Sequence, residues 1–413
     1  MKVELIAIGD EIITGHTVDT NTVFIAKKLA EIGLSVTYKT AVGDDLVRME
    51  EVFHKALDRA DIVIVTGGLG PTDDDITKRA IVKVFKRNLV FHEDILEDLK
   101  MRFKKRGIEM PSINQNQALL PQGATFLANS TGSALGIVIE ENGKIFVSMP
   151  GVPREMQVMT ADELVPFLEA KIDRCSIAIA KIRTTGIFES ALAELISPVV
   201  KIPENVRFAY LPSYEGVDLR IIAEGKTDSE CQAIVAKIKE QIYGVAGKYI
   251  YGEGDTPIEE VVGKLLMERH SKVATAESCT AGMLAARFTD VPGSSGYFDR
   301  GVITYSNESK IEMLDVPPEI IEENGAVSSE VAEAMALGIR EEAGVDYGIG
   351  ITGIAGPDGG TEEKPVGTVF IAVAYPKGVV CHKFQLVNDR QINRHRSVSA
   401  ALELLRRVIL GIK

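Results

Sequence analysis

Ile62-Val63-Ile64-Val65-Thr66 runs directly into Gly67-Gly68-Leu69-Gly70-Pro71-Thr72-Asp73-Asp74-Asp75-Ile76-Thr77. Five consecutive β-branched residues suit a strand buried on both faces. The glycine loop after it gives way to a helical pattern from Ile76. The same order recurs upstream. Val3–Ile8 reads as a buried strand that exits into Gly9-Asp10-Glu11, and Thr22–Ile32 carries Val23, Ala26, Leu29, Ala30 and Ile32 at helical spacing. Leu34–Ala41 is a second strand, exiting through Val42-Gly43-Asp44-Asp45 into a helix over Leu46–Ala60. Two later strands, Ala134–Ile139 and Lys144–Met149, lead through Met149-Pro150-Gly151-Val152-Pro153 to a helix ending near Ala170. Strands alternating with helices predict an α/β domain over 1–172, a doubly wound parallel sheet covered on both faces.

The pattern changes beyond Ile172. Strands near Ser176–Thr185, Val206–Tyr210 and Val217–Glu224, with helices near Glu189–Val200 and Ser229–Tyr243, predict a small α+β module over 173–253. Tyr251-Gly252-Glu253-Gly254-Asp255-Thr256-Pro257 reads as a linker, with a cap at Asp255 or Thr256 and Pro257 opening the next helix. A third domain, 255–413, follows. Its strands are expected at Val273–Ala276, Gly301–Tyr305, Tyr347–Thr352, Thr368–Ala374 and Val379–Leu386, and its helices include Cys279–Thr289, Ser329–Ala343 and Arg390–Leu410.

Composition excludes several classes. A net charge of −13 over 413 residues is a poor basis for coating nucleic-acid phosphates. Hydrophobic residues make up 45%, enough for several cores, so a disordered chain is excluded. The four cysteines, Cys175, Cys231, Cys279 and Cys381, form no C-x-x-C pair, which argues against a zinc ribbon or a disulfide framework and fits a reducing cytoplasm. No apolar run approaches the roughly 18 residues that span a bilayer, and no membrane partner is expected.

In an open parallel sheet ligands sit beyond the carboxyl ends of the strands. The exits of the first domain combine glycines with carboxylates. Gly67, Gly68, Gly70 and Thr72 suit a phosphate cradle. Asp10, Asp44, Asp73, Asp74 and Asp75 beside a phosphate imply a divalent metal, since like charges would otherwise repel. The competing reading is a tight turn followed by solvated carboxylates at a helix start. In the third domain, Val273–Ala276 leads into Glu277-Ser278-Cys279-Thr280-Ala281-Gly282. Ser278 at a strand-to-helix turn is placed for nucleophilic attack, with backbone N–H groups near Cys279 and Thr280 to hold an oxyanion. It is equally placed to be a helix N-cap. Cys279 is a rival nucleophile without a nearby histidine. Lys310 can serve as general base if burial lowers its pKa, and Tyr305 can share its cleft; otherwise Lys310 is a solvated helix residue. The loop with Gly353, Ala355 and Gly356 suits a phosphate or ribose. Arg390 and Arg394, at the start of the last helix, are candidate phosphate ligands or part of a solvated face.

The motifs T-G-G-L-G-P-T-D-D-D-I-T, G-D-E at Gly9–Glu11 and M-P-G-V-P at Met149–Pro153 resemble the amino-terminal domain of the competence/damage-inducible CinA family, itself similar to the MogA and MoaB molybdopterin-binding proteins. V-D-L-R-I-I-A at Val217–Ala223 resembles that family's KH-like module, without a G-x-x-G loop between helices, so a structural and dimer-forming spacer is expected rather than an RNA binder. A-E-S-C-T, V-P-G-S-S, T-Y-S-N-E-S-K, G-A-V-S, T-G-I-A-G-P-D-G-G and K-P-V-G-T-V occur in order and resemble the family's carboxy-terminal domain, which includes nicotinamide mononucleotide deamidases. The resemblance implies a bifunctional hydrolase. One activity converts nicotinamide mononucleotide to nicotinate mononucleotide and ammonia with Ser278, Tyr305 and Lys310 and no cofactor. The other cleaves ADP-ribose to AMP and ribose 5-phosphate with a divalent metal, Asp44 and Asp75 being carried over from the relatives' motif positions. It also implies small-molecule nucleotides as ligands and a homodimer. The alternatives are a non-enzymatic partner-binding protein, or an amino-terminal domain that binds a pterin and hydrolyses nothing. Ala281 stands where many members have glycine, a departure that matters if φ there is positive.

Overall fold

A computed structural model describes residues 1–72, 75–105, 107–172 and 176–412. Asp73, Asp74 and Cys175 lie outside the described residues. The chain forms two compact units, Met1–Ile177 with Gly225–Thr227, and Ala178–Glu224 with Asp228–Lys413.

In the first unit, β1 (Val3–Ile8), β2 (Val36–Val42) and β3 (Ile62–Thr66) are parallel. A separate antiparallel pair is made by β4 (Leu89–Phe91) and β5 (Leu119–Pro121). The main sheet is completed by β6 (Thr125–Leu127), β7 (Gly136–Glu141) and β8 (Lys144–Met149), in the order β2-β1-β3-β8-β7-β6. Every residue of β1 and of β3 is buried, as their unbroken apolar runs require. The sheet is parallel from β2 to β8, while β7 and β6 run antiparallel at one edge. That edge departs from the all-parallel expectation because Asn142 and Gly143, both at positive φ, close a two-residue hairpin between β7 and β8. One core cluster packs the helices Leu46–Arg59 and Thr77–Val84 against one face. The other packs Asn21–Glu31 and Pro153–Met159 against the opposite face.

The second unit holds two sheets. In the middle module β9 (Ser176–Thr184), β10 (Val206–Pro212), β11 (Val217–Gly225) and β12 (Ile250–Glu253) are ordered β10-β11-β9-β12, with helices Glu189–Ile196 and Asp228–Ala246. The third domain is built on β13 (Val273–Glu277), β14 (Phe298–Ile303), β15 (Tyr347–Gly353), β16 (Thr368–Tyr375) and β17 (Gly378–Gln385), ordered β14-β13-β15-β16-β17. Here β13 is parallel to both β14 and β15, and the last two strands are antiparallel.

Two expectations change. The stretch read as a linker begins inside β12, which pairs with β9, and Arg183 of β9 donates to the backbone carbonyl of Thr256 at 3.1 Å. Contacts therefore cross where few were expected, and the middle module and third domain form one unit. The helix expected from Cys279 begins only at Met283, and the strand expected over Gly301–Tyr305 runs Phe298–Ile303.

Candidate functional sites

Both α/β sheets have a point where the chain turns to opposite sides of one strand. In the first unit it lies between β1 and β3. The Asp10 N–H donates to the Asp44 carboxylate and the Asp44 N–H donates to the Asp10 carboxylate, both at 3.0 Å. Two exits that are 34 residues apart in sequence are thus stitched together. Gly67, at φ +117°, packs so closely on the Ile8 carbonyl that a Cβ would overlap it. Asp75 turns back on its own loop, accepting from the Thr72 N–H at 3.0 Å and the Thr72 hydroxyl at 2.6 Å. Asn21 donates to Gly151 O at 2.7 Å, while its carboxamide oxygen is buried without a partner. Sequence reasoning missed Lys78. It is buried as the second residue of the helix after the loop and donates to Asn116 O at 3.0 Å and Gln117 Oε1 at 3.3 Å. Burial pushes its pKa down to about 8, against the pull of Asp75. Its only signal was the position two residues beyond a loop already singled out.

Of the five proposed metal carboxylates, Asp10, Asp44 and Asp75 are among the described residues. Asp10 and Asp44 are paired, Asp75 is held by Thr72, and among the described residues no three metal-ligating side chains form a cluster. Two carboxylates are nevertheless the protein share that a magnesium-type ion takes when substrate phosphates and water complete its shell.

In the second unit the corresponding point lies between β13 and β15, and Ser278 sits at it. The Ser278 N–H donates to Ile351 O of β15 at 3.0 Å. Ser278 is not a helix cap: the helix starts five residues later, with Gly282 as its N-cap residue. The side chain is buried and its Oγ lies 3.5 Å from Lys310 Nζ. Lys310 is 1% exposed and belongs to the helix Asn307–Leu314, so it is not a solvated residue. Its Nζ is also held by the carbonyls of Thr304 at 2.9 Å, Ser306 at 3.2 Å and Tyr305 at 3.4 Å. Burial holds the Lys310 pKa below its usual value, with Cys279 and Glu308 pulling the other way. Burial also pushes the Cys279 thiol up to about 12, so it is not a thiolate nucleophile near neutral pH. Tyr305 does not join the pair through its ring. It is 62% exposed, and its backbone carbonyl is the part that faces Lys310.

Sequence reasoning assigned nothing to Glu277. Its carboxylate is fully buried and accepts from the N–H groups of Gly282 at 3.0 Å, Leu284 at 3.1 Å and Ala285 at 2.8 Å. The first amides of the helix Met283–Thr289 and its N-cap are therefore already engaged by a carboxylate. The N–H groups of Cys279 and Thr280, by contrast, find no backbone acceptor among the described residues. Three buried polar atoms without partners lie in the same surroundings: Thr280 Oγ1, Thr304 Oγ1 and Arg394 Nε. Such atoms are rare in a folded interior. Arg394 donates to Thr280 O at 2.9 Å and Arg390 to Gly356 O at 2.9 Å, so both arginines brace loops around the site. The carbonyl of buried Ala355 accepts from Asn393 at 3.0 Å, and Gly353 ends β15 against Val369. Ala281 stands at φ +50°, the left-handed region, so the departure from glycine has a structural cost.

The sequence matches three family models in order: a probable molybdopterin-binding domain over residues 4–170, the damage-inducible protein CinA KH domain over 180–252, and the CinA carboxy-terminal domain over 255–409. A competence-damage inducible protein of Acetivibrio thermocellus is 40% identical over the whole of both chains, and one from Alkaliphilus metalliredigens is 42% identical over the whole of both. The chain belongs to the CinA family. Among solved structures it is similar to the competence/damage inducible protein CihA from Agrobacterium tumefaciens. That match has 36% identity and a TM-score of 0.36, and covers 37% of this chain and 96% of the other. It is also similar to a CinA protein from Thermoplasma acidophilum, with 34% identity and a TM-score of 0.37, covering 42% of this chain and 98% of the other. In this CinA-family chain the Asp10–Asp44 pair joins the exits of β1 and β2, and the Ser278–Lys310 pair joins the exit of β13 to the helix after β14. Among the described residues no helix is long and apolar enough to cross a membrane.

Proposed function

We propose that the third domain hydrolyses the carboxamide of nicotinamide mononucleotide to nicotinate mononucleotide and ammonia. One observation supports amide hydrolysis above others: a buried serine hydroxyl 3.5 Å from a buried lysine whose pKa is lowered. The nicotinamide mononucleotide substrate rests on the family resemblance. Neutral Lys310 takes the Ser278 proton as Oγ bonds to the amide carbon, and the carbonyl π pair moves onto oxygen. The N–H groups of Cys279 and Thr280, which find no backbone acceptor among the described residues, would donate to that oxyanion. Collapse re-forms the carbonyl and breaks the C–N bond, and protonated Lys310 returns its proton so that nitrogen leaves as ammonia. Water, deprotonated by Lys310, then cleaves the ester and restores Ser278. Exposed Tyr305 is assigned to the substrate-facing rim. Arg390 and Arg394 retain further N–H groups for the nucleotide phosphate.

For the amino-terminal domain the proposal is divalent-metal-dependent cleavage of ADP-ribose to AMP and ribose 5-phosphate. Asp10 and Asp44 would hold the ion, which would supply charge neutralisation at the diphosphate, while the glycine exits Gly67, Gly68 and Gly70 with Thr72 contact the phosphates. Asp75 is assigned to shaping the loop through Thr72. Pterin binding without hydrolysis is the second reading, favoured by the match to a probable molybdopterin-binding domain. A cytoplasmic homodimer acting on small nucleotides completes the proposal. Purified protein incubated separately with nicotinamide mononucleotide and with ADP-ribose plus metal, followed by product chromatography, tests both activities. Absence of nicotinate mononucleotide in the first incubation overturns the deamidase reading.

A further inference from the structure

Arg287 lies on the short helix Met283–Thr289, whose first amides hold Glu277 and which follows the turn carrying Ser278. Its guanidinium faces two carboxylates. One is Glu259 of the third domain, and the other is Glu215 of the middle module at 2.9 Å. Glu215 uses its second oxygen on Arg183 of β9 at 3.0 Å. Arg183 in turn is paired with Asp218 at 3.2 Å and lies over the Tyr251 ring, 5.3 Å from its centroid. The charged side chains are largely buried: Arg183 is 10% exposed and Arg287 is 19% exposed. Losing one partner of such a network leaves a desolvated charge without compensation.

The segment that presents Glu215 is stiff. The Ser213 N–H donates to Gly216 O at 2.8 Å, and the Glu215 N–H donates to the Ser213 hydroxyl at 3.2 Å. Gly216 lies against the Thr184 carbonyl of β9 so closely that a Cβ would overlap it. The turn is thereby fixed to β9, and Glu215 reaches the nucleophile helix from a rigid base. Other contacts, such as Arg406 to the Lys248 carbonyl at 2.8 Å, also join the module to the third domain, but they do not touch that helix. The helix has seven residues, fewer than two full turns, and Arg287 is its fifth.

We propose that Glu215 of the middle module is a positioning residue for the deamidase site: by holding Arg287 it sets the orientation of the nucleophile helix, and through Glu277 the turn that presents Ser278 to Lys310. This rests on the deamidase reading of that site. It gives the middle module a catalytic consequence without a ligand of its own.

The test uses the full chain. Glu215→Gln keeps the shape and removes the charge, and Arg287→Gln breaks the same link from the other side. Expected in each is a fall in kcat of roughly tenfold with KM within about twofold, inside the roughly hundredfold that a 1 Å misplacement can cost. The double variant should cost less than the product of the two singles, since both remove the Glu215–Arg287 link while each also loses one further partner, Arg183 or Glu259. Amide hydrogen exchange should accelerate over residues 279–289 and stay unchanged over β10 and β11. Wild-type kcat together with unchanged exchange over 279–289 in Glu215→Gln overturns the proposal. If the wild-type chain releases no ammonia, the deamidase reading falls, while the exchange measurement still decides the mechanical link. Should Glu215→Gln not fold, Arg287→Gln decides by the same readouts.

Discussion

At the scale of single residues, the Ser278–Lys310 pair is the sharpest object in the molecule. Ser278→Ala should reduce ammonia release from nicotinamide mononucleotide by roughly 10⁴-fold or more while leaving the fold intact, because among the described residues Ser278 supplies the hydroxyl found on Lys310 Nζ. Full activity in that variant, assayed by ammonia release, would end the serine account. Lys310 must be neutral to take a proton, and burial lowers its pKa from 10.5. Activity is therefore full above the folded-state pKa and lost as pH falls through it. The rate profile should level off at a pH below 10.5, and Lys310→Met should abolish activity at every pH. Ala281 offers a separate check. Left-handed backbone costs an L-residue roughly 1–2 kcal/mol, while glycine loses roughly 0.5–1 kcal/mol more entropy on folding. Ala281→Gly should thus stabilise the second unit by up to about 1 kcal/mol in denaturant unfolding. Ser278 and Lys310 were legible in the sequence because strand-exit motifs carry them. Glu277 was not, because its role is to bind amides that only the folded turn brings together.

At the scale of elements, strand exits explain most of what the sequence revealed. Unbroken apolar runs identified β1 and β3, whose exits carry the glycines and carboxylates of the first candidate site. The pairing of Asp10 with Asp44 was not legible as a hydrogen-bonded pair, since it depends on β1 and β2 lying in register from Ile8 and Val42. If those carboxylates hold the metal, Asp44→Asn should lose ADP-ribose cleavage roughly 10²-fold or more, and chelator should do the same to the wild type without affecting deamidation. Equal ADP-ribose turnover before and after chelation would end the metal assignment. Lys78 gives this unit a pH signature of its own. Its folded-state pKa is depressed to about 8 from 10.5, so between these values the unfolded chain binds the extra proton and stability rises with pH. The rise attributable to Lys78 should reach about 3 kcal/mol across that window. Lys78→Met, which keeps an apolar stem in the same space, should flatten the denaturant-unfolding slope measured at successive pH values.

At the scale of the whole molecule, the sequence supports three stretches with three family matches, whereas the contacts group them as two units. The glycine-rich segment after Tyr251 reads as a joint because composition reports turn propensity and says nothing about which buried charges the flanking strands exchange. Arg183 reaches the carbonyl of Thr256, Arg406 the carbonyl of Lys248, and Glu215 the guanidinium of Arg287. Cutting the chain before Asp255 would leave Arg287 with Glu259 as its remaining partner, and Arg406 with Glu403 alone. Residues 178–413 should therefore unfold in one calorimetric transition, with the van't Hoff enthalpy equal to the calorimetric enthalpy, as expected of a single cooperative unit. A 255–413 fragment should melt lower than 178–413 by several degrees, because each desolvated donor left unpaired costs roughly 1–3 kcal/mol. Its deamidation should fall in kcat rather than in substrate affinity, in the same sense as the Glu215→Gln variant. Two separate transitions in 178–413, together with a 255–413 fragment of unchanged melting temperature and full turnover, would show that the middle module and the third domain are independent bodies, and that the ion pairs between them contribute nothing to the site.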